Sequence, residues 1–285
     1  MISNKDKSKR VEVFDERQIK FQAFGVKIGI EADEAIYLEE IYKILETLFP
    51  NGCEPVEERE IEYHFTIKSK NGEAAAVYRN GEKQVEKMEE KNFFNTIARE
   101  IRTTIAEFAV GRVFLHAGVV GWKDKAIIIP AQSFAGKSTL VAELVKKGAT
   151  YYSDEYAVLD ADGNVEPYPK WLSMRDTINS EIQTDCPVES FGAKAGTKTI
   201  PVGMVLIAKY KSGRKASQKW SPKRLTAGEG IMEILPHTFP LTNKPKFVLQ
   251  VLNNLMSRAI IVKTIRGEAR EFAETLLSYF ESETI

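Results

Sequence analysis

Hydrophobic positions recur along the chain with two different periods, and the switches between them mark out its elements. Over residues 21–30 apolar and small residues alternate with polar ones, which predicts a strand. Over residues 34–48 the apolar positions Ile36, Leu38, Ile41, Ile44, Leu45 and Leu48 fall at helical spacing, and Pro50-Asn51-Gly52 ends that helix. Residues 61–68 and 74–79 read as short strands joined through the turn signals Asn71-Gly72 and Asn80-Gly81. A helix follows over residues 92–108, with Phe94, Ile97, Ile101, Ile105 and Phe108 on one face. These elements predict a small α/β domain over residues 1–108, suited to binding a substrate or partner, and a second domain over residues 109–285.

In the second domain Val113–Trp122 and Lys125–Pro130 read as strands around the turn Lys123-Asp124. Gly136 ends the next loop, and residues 137–147 are helical. Thr150–Ser153 is a strand ending at Asp154-Glu155, and Tyr156–Leu159 continues extended toward a turn at residues 160–164. Val202–Tyr210 is a further strand. Two helices, at residues 247–256 and 267–280, flank a strand at residues 259–264.

Composition narrows the classes open to such a chain. With 285 residues and 43% hydrophobic content it can bury a substantial core. Forty basic residues balance forty acidic ones, so no overall charge draws it to nucleic acid or to an anionic membrane. The polar start lacks the apolar core of a secretory signal, and no apolar run has the length of a membrane span. The two cysteines, Cys53 and Cys186, and the three histidines, His64, His116 and His237, are scattered, which argues against a His/Cys metal site and for a reducing cytoplasm. Magnesium held by oxygen atoms is compatible with this inventory.

The segment with the clearest chemistry runs from the apolar strand Lys125–Pro130 through Ala131, Gln132, Ser133, Phe134, Ala135, Gly136, Lys137, Ser138 and Thr139: strand, loop and helix start in the order a phosphate-binding loop requires. Backbone N–H groups of such a loop and the helix dipole attract phosphate oxygens. Gly136 permits close approach, Lys137 can reach the terminal phosphates, and the Ser138 hydroxyl can ligate magnesium. Ala131 stands where the pattern has its first glycine. Asp154 and Glu155 close the next strand, which in a parallel sheet would lie beside the loop, where carboxylates can hold magnesium or take a proton from an attacking hydroxyl. His116 lies on the preceding strand between Leu115 and Ala117; alone, it reads as a core residue.

Taken together, Leu115-His116-Ala117-Gly118-Val119-Val120, residues 131–139 and Gly148-Ala149-Thr150-Tyr151-Tyr152-Ser153-Asp154-Glu155 resemble the catalytic domain of the HPr kinase/phosphorylase family, with Gly192-Ala193-Lys194-Ala195 a further point of likeness. The resemblance is best over residues 113–160. It implies a P-loop kinase domain with a mixed central sheet, related to phosphoenolpyruvate carboxykinase and preceded here by the small α/β domain. It also implies ATP- and magnesium-dependent transfer to a serine-type hydroxyl of a peptide, protein or small molecule. Asp154 matches the family's general base and Glu155 its second, metal-associated acid, an aspartate there; His116 matches a histidine near the base. Family members form hexamers, but no heptad or symmetric patch is evident in the sequence, so a homo-oligomer ranks only slightly ahead of a monomer. The family's arginine- and glycine-rich signature segment is not found, and the N-terminal domain differs, so the expected acceptor is not the sugar-transport phosphocarrier. Arg175 is the basic residue expected to complete the phosphate clamp. The competing expectation is a nucleotide-sensing scaffold or switch that transfers no phosphoryl group.

Overall fold

The computed structural model describes residues 18–49, 53–70, 73–86, 90–130, 136–175, 183–213, 220 and 222–284. The chain packs as two compact units that meet in sequence between Val110 and Gly111. Both are α/β with mixed sheets. Among the described residues no helix is long and apolar enough to cross a membrane.

In the N-terminal unit the strands are β1 (Gln18–Ala23), β2 (Val26–Ala32), β3 (Glu54–Pro55), β4 (Tyr63–Lys70), β5 (Glu73–Arg79) and β6 (Glu82–Glu86). They form one sheet in the order β3-β1-β2-β4-β5-β6. Helix α1 (Ala35–Leu48) and then β3 lie in the chain between β2 and its parallel neighbour β4. Helix α2 (Glu90–Phe108) follows β6. The single strand expected over residues 21–30 is instead two strands of a hairpin. Phe24 and Gly25 both take positive φ, 50° and 77°, the geometry of a two-residue turn. Phenylalanine is a rare turn residue, and the apolar alternation runs through it unbroken. On α2 the buried stripe begins at Phe93 rather than Phe94 and continues through Ile97, Ile101 and Ile105. The turn signal at Asn71-Gly72 lies outside the described residues.

In the C-terminal unit the strands are β7 (Val113–Trp122), β8 (Lys125–Pro130), β9 (Thr150–Ser153), β10 (Tyr156–Leu159), β11 (Val165–Glu166), β12 (Leu172–Arg175), β13 (Gln183–Cys186), β14 (Val202–Tyr210), β15 (Lys223–Arg224), β16 (Thr238–Phe239) and β17 (Ile260–Arg266). The helices are α3 (Lys137–Lys146), α4 (Ala227–Ile234), α5 (Pro245–Met256) and α6 (Ala269–Thr284). The main sheet runs β11-β10-β7-β8-β14-β17-β15, with β9 and β16 also on β7; β12 and β13 pair by themselves. Strands β8, β14 and β17 are parallel, and β7 is antiparallel to β8.

Ile127 and Ile129 pack with α3 and α6 on one face of this sheet, while Ile128 packs with α4 and α5 on the other. Burial on both faces explains the unbroken isoleucine run that an alternating, one-sided strand would not show. The C-terminal ends of the parallel strands, at Pro130, Tyr210 and Arg266, lie on the edge where ligands bind in open α/β sheets.

One expected arrangement is overturned. Strand β9 does not lie parallel beside β8: it pairs antiparallel with β7, Val119 opposite Ser153 and Gly121 opposite Thr150, while β8 has β14 as its parallel neighbour. Strand β10 continues along the same edge of β7, with Tyr156 opposite His116. The acids at 154 and 155 therefore lie across β7 from β8.

Candidate functional site

Residues 114, 116, 118 and 120 of β7 share one face by strand periodicity, and Val120 packs with α3 there. Gly118 leaves room on that face for the helix. A Cβ on Gly118 would stand 2.5 Å from Val141 Cγ2 and 3.1 Å from Lys137 Cγ. The stem of Lys137 thus crosses the strand at Gly118, and its Nζ lies 3.0 Å from His116 Nε2. Lys137 is only 9% exposed. An ammonium has protons only to give, so Nε2 accepts and the imidazole is neutral with its proton on Nδ1.

Gly136, the N-cap of α3, sits at φ 72°, a left-handed conformation that favours glycine. Its carbonyl accepts Arg266 Nη2 at 2.9 Å, and a Cβ there would meet that nitrogen at 2.6 Å. Arg266, at the end of β17, is 4% exposed, donates also to the Gly267 carbonyl, and lies over the Tyr210 ring at 5.2 Å. Burial pushes its pKa below the usual arginine value.

The turn between β9 and β10 is tied by Ser153, whose Oγ accepts the N–H groups of Glu155 at 3.1 Å and Tyr156 at 3.0 Å. The Ala117 N–H donates to the Glu155 carbonyl at 3.2 Å. Asp154 is thereby held against Ser138 and Lys137 and is 6% exposed. Burial, with a smaller contribution from Glu155, pushes its carboxyl up to about 6, against the opposing pull of Lys137, the Ser138 hydroxyl and Lys170. Its Oδ1 is buried and has no hydrogen-bond partner among the described residues.

Of the residues expected from sequence, the structure brings His116, Lys137, Ser138, Asp154 and Glu155 together. Thr139 is exposed on α3. Ala131, Gln132, Ser133, Phe134 and Ala135 lie outside the described residues, and so does the Arg175 side chain, although its backbone ends β12 opposite Gln183. Arg258, another basic residue of this unit, bonds the carbonyls of Asn254 and Asp162.

Three cationic or titratable residues were missed. Lys170 is 6% exposed, donates to Ser173 Oγ at 3.0 Å and pairs with Asp185 at 3.8 Å. Arg266 could have been found from its place at the end of a strand whose parallel neighbours lead to the loop. His237 has a pKa lowered by burial first and then by the charge of Lys137. It follows α4, a helix not expected from sequence although Thr226 and Glu229 form a readable capping box at its start.

Comparison of the chain with protein-family models and with curated proteins returns no match.

Proposed function

We propose that the C-terminal unit is a P-loop kinase domain of the HPr kinase/phosphorylase type, cytoplasmic, which transfers the terminal phosphoryl group of ATP to a serine-type hydroxyl on a peptide, protein or small molecule. The observation that carries this reading is the buried Asp154, with one oxygen unpartnered, beside Lys137 and Ser138 at the start of α3. A carboxylate desolvated at this cost and left unsatisfied has no structural return; it suits a group awaiting a ligand.

The donor set fits magnesium. Ser138 and Glu155 are hard oxygen donors, too few for an all-protein cage and suited to an ion that keeps water and phosphate oxygens in its shell, which leaves Asp154 free to act as base. Among the described residues no group of three His, Cys, Asp or Glu could hold a metal. Bound there with the nucleotide, magnesium would offset charge on the phosphate oxygens. Lys137, oriented by its bond to neutral His116, points its ammonium toward the terminal phosphates. Arg266 fixes the Gly136 carbonyl and so the first turn whose N–H groups face the phosphates. As the acceptor oxygen bonds to phosphorus and the bond to the leaving diphosphate breaks, Asp154 takes the hydroxyl proton. A carboxyl raised to about 6 is a better base than an ordinary aspartate and is still ionised near pH 7.

Calorimetry with ATP and magnesium, followed by transfer assays on peptide and metabolite sets, tests this. Wild type is expected to bind, Lys137→Ala to lose at least about a hundredfold in affinity, or ~3 kcal/mol, and Asp154→Asn to bind but transfer nothing. If wild type binds ATP and no acceptor is ever phosphorylated, the site is a nucleotide sensor; if it binds no nucleotide, the reading fails.

A further inference from the structure

The short segment after α4 is tied down on both sides. Thr238 Oγ1 donates to the Ile234 carbonyl at 2.9 Å, and β16 pairs with β7, Thr238 opposite Leu115 and Phe239 opposite Phe114. The Phe239 ring stands 6.1 Å from Tyr156, which itself contacts Phe114 at 5.5 Å and His116 at 6.1 Å between ring centroids. Strand β10 already occupies one edge of β7 at residues 113–116, so β16 uses the other, the edge that β8 joins at Ala117 opposite Pro130. His237, the last residue of the short 3-10 turn Leu235–His237, immediately precedes this pairing and so enters beside the Leu115–His116 row of β7. His237 therefore arrives near Pro130, the last described residue of β8, on the edge of β7 opposite the one that carries β9 and β10.

This row is also the ammonium end of Lys137, whose side chain runs from Gly118 to His116. His237 thus stands beside the strand along which the Lys137 side chain runs, in keeping with a pKa lowered by burial first and then by the charge of Lys137, and the residue is partly exposed. A lysine and an imidazole brought to the same strand row beside a helix start are suited to share one anion.

We propose that His237 is a second phosphoryl-contacting residue, donating a hydrogen bond to an oxygen of the terminal phosphoryl group that Lys137 binds. This rests on the nucleotide-binding reading above. It assigns to the segment after α4 the task of distinguishing a triphosphate from a diphosphate.

The test is calorimetric titration of the full chain with ATP·Mg and with ADP·Mg, for wild type, His237→Ala, His237→Asn and Lys137→Ala. His237→Ala is expected to bind ATP·Mg about tenfold more weakly with ADP·Mg affinity unchanged. His237→Asn, which keeps an N–H donor, recovers part of the loss. An unchanged ATP·Mg affinity in His237→Ala, or an equal loss for both nucleotides, overturns the proposal while leaving the phosphate loop intact. Wild type that binds neither nucleotide, or Lys137→Ala that binds as well as wild type, removes both readings. Carbethoxylation of His237 in the wild-type chain, followed by peptide mass, needs no variant: protection by ATP·Mg but not by ADP·Mg is expected, and equal or absent protection overturns the assignment.

Discussion

The two units treat charge in opposite ways. Among the described residues of the N-terminal unit the buried polar side chains are the neutral Thr96 and Thr104, and ion pairs such as Lys27–Glu60 and Lys43–Glu40 stand at the surface. The C-terminal unit buries Lys137, Asp154, Lys170 and Arg266. Removing a charge from water costs far more than a typical pair returns. Among its described residues the N-terminal unit keeps its charges at the surface with the exception of the buried Arg102 Nε, and the C-terminal unit concentrates the cost around one helix start. Cost gathered at one place, with an oxygen left unsatisfied, separates a site from a scaffold more sharply than the loop pattern alone.

The largest expected effect tests that cost directly. The Asp154 carboxyl is raised from the ordinary 3.8 to about 6, so the folded state holds its proton more tightly than the unfolded state does. The favourable condition is fully present below about pH 4 and is lost as pH rises through 6, which amounts to about 3 kcal/mol against folding at pH 8. Asp154→Asn should therefore be more stable than wild type at pH 8 in the absence of magnesium and nucleotide, with the difference vanishing near pH 4. All three tryptophans, Trp122, Trp171 and Trp220, belong to the C-terminal unit, so denaturation followed by tryptophan fluorescence reads that unit selectively. A variant no more stable at pH 8 than wild type would dissolve the contrast between the units.

The next effect concerns space instead of charge. Gly118 lies where a Cβ would meet Val141 Cγ2 at 2.5 Å, and Val141 is a short, branched side chain fixed on α3. Gly118→Ala should cost about 1–3 kcal/mol by overpacking and weaken nucleotide binding by moving Lys137. Adding Val141→Ala, which removes the colliding methyl, should recover binding. Failure of that second change would mean the glycine serves the strand and not the lysine.

The parts of this picture legible in sequence are those written in local pattern. Strands β7, β8 and β14 follow from their apolar runs, and the loop strand with its Gly136-Lys137-Ser138 start follows from composition and order. What was illegible depends on chain pairing. The edge of β7 that receives β9 is decided by long-range pairing, and the turn that then holds the acids is tied by Ser153, whose neighbours look like any strand end. His237 comes near His116 only because the next residues, Thr238 and Phe239, pair with β7, across more than a hundred residues of chain. The first hairpin was hidden because Phe24 occupies a position usually held by Asn, Asp or Gly.

The smallest effect sharpens the comparison from the N-terminal side. Glu60 accepts from Lys27 at 2.9 Å, and that bond first, then the Glu57 N–H, holds its carboxyl below the usual range. The same bond raises Lys27. A depressed carboxyl stabilises above its unfolded value and loses that contribution as pH falls, the reverse of Asp154. A single ramp from pH 4 to 7 should thus strengthen the N-terminal unit slightly through Glu60 while it weakens the C-terminal unit through Asp154. Both partners are at the surface, so Glu60→Gln should shift the N-terminal unit's amide exchange only marginally at pH 7 and low salt, and not at all in 1 M salt, where exposed pairs are screened. The Asp154 effect, shielded from solvent, should survive the same salt. If both respond equally to salt, burial is not what distinguishes the two carboxylates.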